Sequence, residues 1–273
     1  MIRTAIFTLY LALLILLGGP LLVLYGLIFG ADDNYYRVGV DAVLLIVRAV
    51  GIRTRVEGCE NIPPGTCLFA ANHASNIDPP VLVGAIPRRI AVLAKRSLFA
   101  IPIMGKAFRM AHYIPVDRGS AESALASLDL AAGYMKQGTS YLVYPEGTRS
   151  ADGRLLPFKR GACMLAIKAG VPVVPIACIG AQHILPKKSL CIRPGEIVVR
   201  FCPPIDATEY TLARRGELAE RVHAAIAAAL PPGQQPKQQP KQQPDTDQRS
   251  EQQSNPSPRK NPGAQPAKTT PAN

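Results

Sequence analysis

Residues 66–80 read Thr66-Cys67-Leu68-Phe69-Ala70-Ala71-Asn72-His73-Ala74-Ser75-Asn76-Ile77-Asp78-Pro79-Pro80. An apolar run of strand character ends at Asn72, and a helical pattern opens near Pro79, where a proline suits the first helical turn. His73 therefore belongs at the end of a strand. On one continuous helix, His73 and Asp78 would lie about 140° apart in azimuth and share no face. A short curled loop instead brings Asp78 back under the imidazole. A carboxylate that accepts a hydrogen bond from one ring nitrogen leaves the other nitrogen as a base. Such a base can take a proton from a hydroxyl nucleophile without any serine or cysteine of the protein. The plainer alternative is that Asp78 only caps a helix and His73 is an ordinary satisfied polar residue.

The same strand-to-helix grammar repeats outward from this segment. Strand-like runs occupy 52–58, 66–72, 89–95, 112–116, 140–146, 171–177 and 197–202, and helical patterns fill 121–137, 161–169 and 208–230. This alternation predicts an α/β domain over residues 51–230, a central mixed sheet covered by helices, with functional loops leaving strand ends.

Residues 1–50 differ. From Ala5 to Phe29 there are 25 residues without a charge, more than the ~20 that cross a bilayer core as a helix. The run is too long for an ordinary signal-peptide core and lacks a small-x-small cleavage site. Gly18-Gly19-Pro20 interrupts it, so it reads as one bent span or a re-entrant hairpin. Val38–Val50 carries Arg37 before it and Asp41 and Arg48 within it, and reads as an amphipathic segment lying at the membrane interface. Residues 231–273 hold ten prolines and ten glutamines with almost nothing apolar to bury, and are expected to be a disordered tail.

The formal charge is +12, of which +9 lies in the first 230 residues, so an anionic partner is expected: a membrane surface or a phosphorylated substrate. Nucleic acid is disfavoured, because only 6% of residues are aromatic and no zinc or RNA-binding signature occurs. The six cysteines are scattered without a CxxC pair and read as reduced thiols. His73, His112, His183 and His223 show no metal-ligand spacing, so neither a metal nor a resident cofactor is expected.

Three more segments carry candidate chemistry. In Tyr144-Pro145-Glu146-Gly147-Thr148-Arg149-Ser150 a strand turns at Gly147, and the turn's N–H groups, the Thr148 hydroxyl and the Arg149 guanidinium suit a phosphate. A Glu146–Arg149 salt bridge that only fixes the turn is the alternative. Ile114-Pro115-Val116-Asp117-Arg118-Gly119 and Lys95-Arg96 each place cations at a strand's end, where a solvated surface is the default.

Together these segments resemble the glycerolipid acyltransferase family, in particular the bacterial type of 1-acylglycerol-3-phosphate acyltransferase. The resemblance runs over about residues 35–205 through four blocks in order: NHASNIDP (72–79), YIPVDRG (113–119), YPEGTRS (144–150) and VPVVPIA (171–177). It implies that His73 is the general base and Asp78 its partner. It further implies that Arg118, Glu146, Gly147 and Arg149 serve the glycerol-phosphate, with Thr148 in the same turn and Lys95 as a softer candidate. The implied reaction esterifies lysophosphatidic acid from acyl-CoA or acyl carrier protein. The implied location is the bacterial inner membrane, with the catalytic domain facing the cytoplasm. Another lyso-lipid acceptor, or a non-catalytic membrane scaffold of the same fold, stays open at this level. A serine hydrolase does not, because Gly-x-Ser-x-Gly is missing.

Overall fold

The computed structural model describes residues 2–117 and 121–237. Seven strands form one mixed sheet: β1 (Ile52–Glu57), β2 (Leu68–Ala71), β3 (Ile90–Lys95), β4 (Ile114–Val116), β5 (Ser140–Val143), β6 (Val173–Ile179) and β7 (Gly195–Phe201). Their order is β1-β7-β6-β2-β5-β3-β4, parallel throughout except between β6 and β7. All seven runs expected to be strands are present.

The alternation of side chains along a strand splits the core in two. Phe69 and Ala71 of β2 face one apolar layer with Leu142, Val174, Ile176 and Phe201. Leu68 and Ala70 face the other, with Tyr141, Val143 and Val173. The first layer is closed by α3 (Asp33–Ala49) and α4 (Asp78–Ala85), through residues such as Ile46, Val47, Val81 and Leu82. The second is closed by α6 (Ala121–Lys136), α7 (Gly161–Ala169) and α8 (Arg215–Ala229), through Met135, Leu165, Leu218, Val222 and Ile226.

Some elements depart from expectation. Helix α3 packs on the domain through Tyr35, Leu44, Ile46 and Val47, while Val38, Leu45, Arg37 and Arg48 are exposed. The last helix begins at Arg215, not Thr208, because the Asp206 carboxylate takes the Thr208 N–H at 2.8 Å and its hydroxyl at 2.7 Å. That local turn competes with helix initiation. A short helix not anticipated from sequence, α5 (Pro102–Met110), packs against the N-terminal apolar helix. It approaches closely because Gly19 and Gly26 lack side chains: a Cβ there would meet Ile103 Cγ2 and Met110 Cε, each at 2.5 Å.

The N-terminal segment is one continuous helix over Ile2–Phe29, made of α1 (Ile2–Leu13), a π-turn at Leu14–Gly18 and α2 (Gly19–Phe29). Gly18-Gly19-Pro20 thus coincides with a π-turn within one continuous helix and not a hairpin. Leu9, Leu16, Leu17, Leu21 and Leu27 are all exposed, so this helix is not a core helix of the domain. It is long and apolar enough to cross a membrane.

The compact unit runs to Lys237, so residues 231–237 belong to the body and not to the tail. The cause is Gln234, which is 3% exposed. Its Oε1 accepts from the Gly180 N–H at 3.1 Å, its Nε2 donates to the Cys178 carbonyl at 3.3 Å, and its own carbonyl accepts from the Leu155 N–H at 2.8 Å. The rest of the expected tail, residues 238–273, lies outside the described residues. A chain ended after Leu230 is expected to unfold at lower temperature than one ended after Lys237, by about 1–3 kcal/mol for the amides left unpaired. Equal melting temperatures for the two would remove Gln234 from the fold's supports. The six cysteines are free thiols, four of them buried, with Cys59 exposed and Cys191 half-buried.

Candidate functional site

Strands β6, β2, β5, β3 and β4 are mutually parallel, so their C-terminal ends line one edge of the sheet. In open α/β sheets ligand sites lie beyond that edge. The loops carrying His73, Glu146, Lys95 and Asp117 all leave from it.

The loop after β2 curls as its spacing predicts. His73 Nδ1 lies 2.8 Å from Asp78 Oδ2, and the same oxygen accepts the Ala74 and Ser75 N–H groups, each at 2.8 Å. Asp78 is the first residue of α4, yet it turns back to bind the preceding loop and does not cap its own helix. It is fully buried, and three donors on one oxygen are what make a buried carboxylate tolerable. They also settle one proton: the carboxylate accepts and Nδ1–H donates, so that in the neutral imidazole Nε2 carries the lone pair. Asp78 Oδ1 faces the Cys178 thiol at 3.7 Å. Burial and the Asp78 charge push that thiol well above its ordinary range, so it stays protonated as a donor.

The His73 backbone is held from the other side by the turn after β5. Its N–H donates to Glu146 Oε1 at 2.7 Å, and its carbonyl accepts the Ser150 N–H at 2.7 Å. The Tyr144 ring stacks on the imidazole, centroids 4.1 Å apart. Gly147 turns the chain with φ +68°, which glycine adopts without strain. No Glu146–Arg149 salt bridge forms; Glu146 is committed to His73. Asn72, quoted above without a role, clasps β6: its Oδ1 accepts the Cys178 N–H at 2.7 Å and its Nδ2 donates to the Cys178 carbonyl at 2.9 Å.

Glu146 is 4% exposed, and its Oε2 makes no hydrogen bond. Burial pushes its carboxyl up to about 8, against the pull of the His73 and Leu156 amides, while Asp78 pushes it further up and Lys187 draws it down. The folded protein therefore holds a proton that the unfolded chain releases near 4.5. Stability is full below that value and falls as pH rises toward about 8. Glu146→Gln is expected to flatten this fall, so that melting temperature measured from pH 5 to 8 declines less than in the wild type. A parallel decline in both proteins would contradict it.

The remaining candidates are placed unevenly. Thr148 and Arg149 follow directly in the turn, exposed and half-buried respectively. Lys95 is exposed at the end of β3, separated from β2 by β5, and has no bond to the His73 cluster. Arg118 lies outside the described residues. Two cations that sequence reading passed over stand beside the turn. Lys187 Nζ donates to the Arg149 carbonyl at 2.6 Å, and Lys159 packs over Gly147. Lys187 comes from a loop distant in sequence and Lys159 from nine residues beyond Ser150, both outside the turn's motif.

Residues 53–179 match the model of the acyltransferase family. Over 188 residues the chain is 31% identical to the 1-acyl-sn-glycerol-3-phosphate acyltransferase of Limnanthes douglasii, covering 68% of this chain and 66% of that protein. It is 35% identical over 174 residues to the human 1-acyl-sn-glycerol-3-phosphate acyltransferase alpha, covering 63% of this chain and 62% of the relative. These matches span slightly under two thirds of the relatives' length. The crystal structure of the 1-acyl-sn-glycerophosphate (LPA) acyltransferase PlsC from Thermotoga maritima superposes with a TM-score of 0.70 at 26% identity, covering 83% of this chain and 93% of that one. With the sheet order, the curled His73–Asp78 loop and these likenesses in agreement, residues 53–179 form a domain of the acyltransferase family.

Proposed function

We propose that this protein moves a fatty acyl group from a thioester, of coenzyme A or acyl carrier protein, to the sn-2 hydroxyl of 1-acylglycerol 3-phosphate, forming phosphatidic acid. The observation that carries the reading is the 2.8 Å contact between His73 Nδ1 and Asp78 Oδ2, which leaves Nε2 as a base in a site with no serine nucleophile. Ser75, the hydroxyl in the same loop, is buried and donates to the Leu185 carbonyl at 2.7 Å.

His73 Nε2 takes the proton of the acceptor hydroxyl as its oxygen attacks the thioester carbonyl. Asp78 stabilises the resulting imidazolium. When the tetrahedral intermediate collapses, the carbon–sulfur bond breaks and the imidazolium returns its proton to the departing thiolate. Tyr144 and Glu146 hold the ring and its backbone, so Glu146 acts by positioning His73. Arg149, Thr148, Lys95 and Arg118 are assigned to the phosphate. Positioning of this kind supplies a large share of the rate when the electrophile is already activated.

The apolar helix Ile2–Phe29 and the lipid acceptor both favour membrane association. Under this reading the domain sits on the cytoplasmic face of a bacterial inner membrane, with its thiols reduced, and it uses no resident cofactor or metal. The test is thiol release from acyl-CoA or acyl carrier protein by the full chain in detergent, with and without 1-acylglycerol 3-phosphate. Release that depends on this acceptor supports the reading. Release that depends only on another lyso-lipid reassigns the acceptor, and no release with any of them leaves a membrane scaffold.

A further inference from the structure

The turn Glu146–Ser150 has a second wall that the motif itself does not contain. The Lys159 N–H donates to the Pro145 carbonyl at 2.8 Å, which anchors its backbone beside the turn. From there its side chain crosses the open face of Gly147. A Cβ built on Gly147 would meet Lys159 Cε at 2.9 Å, Cδ at 3.1 Å and Nζ at 3.1 Å. Glycine at this position thus does two things: it permits φ +68°, and it leaves the groove in which the lysine stem lies.

The two lysines beside the turn differ in what they do with their charge. Lys187 spends a hydrogen bond on the Arg149 carbonyl and so braces the loop. Lys159 Nζ has neither a hydrogen bond nor an ion pair among the described residues, although Asp152 and Glu146 lie close to it in sequence. Asp152 pairs instead with Lys237 at 3.2 Å. An exposed cation whose stem lies against Gly147, in the turn that also carries Arg149, and with no carboxylate partner among the described residues, is a ready ligand for a phosphate monoester.

We infer that Lys159, seated over Gly147, is a substrate-binding residue that takes a phosphate oxygen of the acceptor alongside Arg149. The inference rests on the acyltransfer reading for the identity of the acceptor. The shared chemistry is phosphate, and coenzyme A also carries phosphates, so the donor is its rival source.

The experiment compares wild type, Lys159→Met, which keeps the stem and loses the charge, and Lys159→Arg. KM is measured separately for 1-acylglycerol 3-phosphate and for acyl-CoA. Lys159→Met is expected to raise the acceptor KM about tenfold or more, as loss of one charge-assisted contact does. Its kcat and its donor KM should stay within about threefold, and Lys159→Arg should recover most of the acceptor affinity. A rise confined to the donor KM overturns the acceptor assignment and gives Lys159 to coenzyme A. Unchanged kinetics, or a uniform loss in every parameter, overturns it as well.

Binding without donor separates this inference from the proposed reaction. Equilibrium binding of 1-acylglycerol 3-phosphate and of neutral 1-acylglycerol is measured in the same detergent. If the wild type turns over no acceptor yet binds the phosphorylated lipid in a Lys159-dependent way, the reaction fails and the site stands. Equal binding of the phosphorylated lipid by wild type and Lys159→Met overturns the site, whatever the enzyme turns over.

Discussion

His73→Ala abolishes nearly all acceptor-dependent thiol release, with an expected loss of about 10³-fold in kcat, the middle of the range for a positioned general base. The fold should survive. His73 is 8% exposed, and its removal still leaves Asp78 Oδ2 with the Ala74 and Ser75 N–H groups as donors. The backbone bonds of residue 73 to Glu146 and Ser150 do not depend on the imidazole either. Circular dichroism and melting temperature close to wild type, together with lost activity, are therefore the expected pair. Residual release within tenfold of wild type would remove His73 from the chemistry and leave positioning alone to explain the rate.

Asp78 offers a finer test, because its two replacements should fail differently. In Asp78→Asn the amide oxygen must face the two peptide N–H groups that now share Oδ2. That constraint keeps His73 Nδ1 as a donor and Nε2 as a base, so the tautomer is preserved and only the charge is lost. The expected cost is about 10²-fold in kcat, smaller than where an asparagine reverses the imidazole tautomer. Asp78→Ala instead orphans three buried donors at about 1–3 kcal/mol each, which consumes a large part of ordinary domain stability. It should express poorly or melt early. An Asp78→Asn protein with wild-type kcat would show that the carboxylate's charge plays no part in the reaction, and a well-folded Asp78→Ala would show that the loop is held by something else.

How far the residues announced this arrangement differs from part to part. His73 and Asp78 were legible because the constraint is local: a strand, a six-residue loop and a helix with proline in its first turn dictate that the carboxylate must fold back. The seven strands were legible for a similar reason, since each is a short β-rich run between turn signals. Glu146 was visible as a motif residue, but not its partner. That its carboxyl oxygen accepts the His73 N–H and does not pair with Arg149 follows from β2 and β5 being neighbours, a pairing of segments 73 residues apart. Tyr144 over the imidazole and the Asn72 clasp on Cys178 depend on the same strand order.

The sequence by itself determined the parts whose physics is short-ranged: the apolar N-terminal helix, the α/β alternation, the curl that joins His73 to Asp78, and the left-handed turn at Gly147. Tertiary structure alone decided which cations stand beside the turn after β5. Lys159 and Lys187 come to the Glu146–Ser150 turn from segments that carry no motif, while Lys95 stands at the end of β3, two strands away from β2. Tertiary structure also converted Gln234 from the first part of a polar tail into a buried clasp. The physical reason is common to all of these. A polar or charged side chain on a loop has no periodicity to betray its neighbours, and its role is set by the donor or acceptor that the packed sheet happens to present.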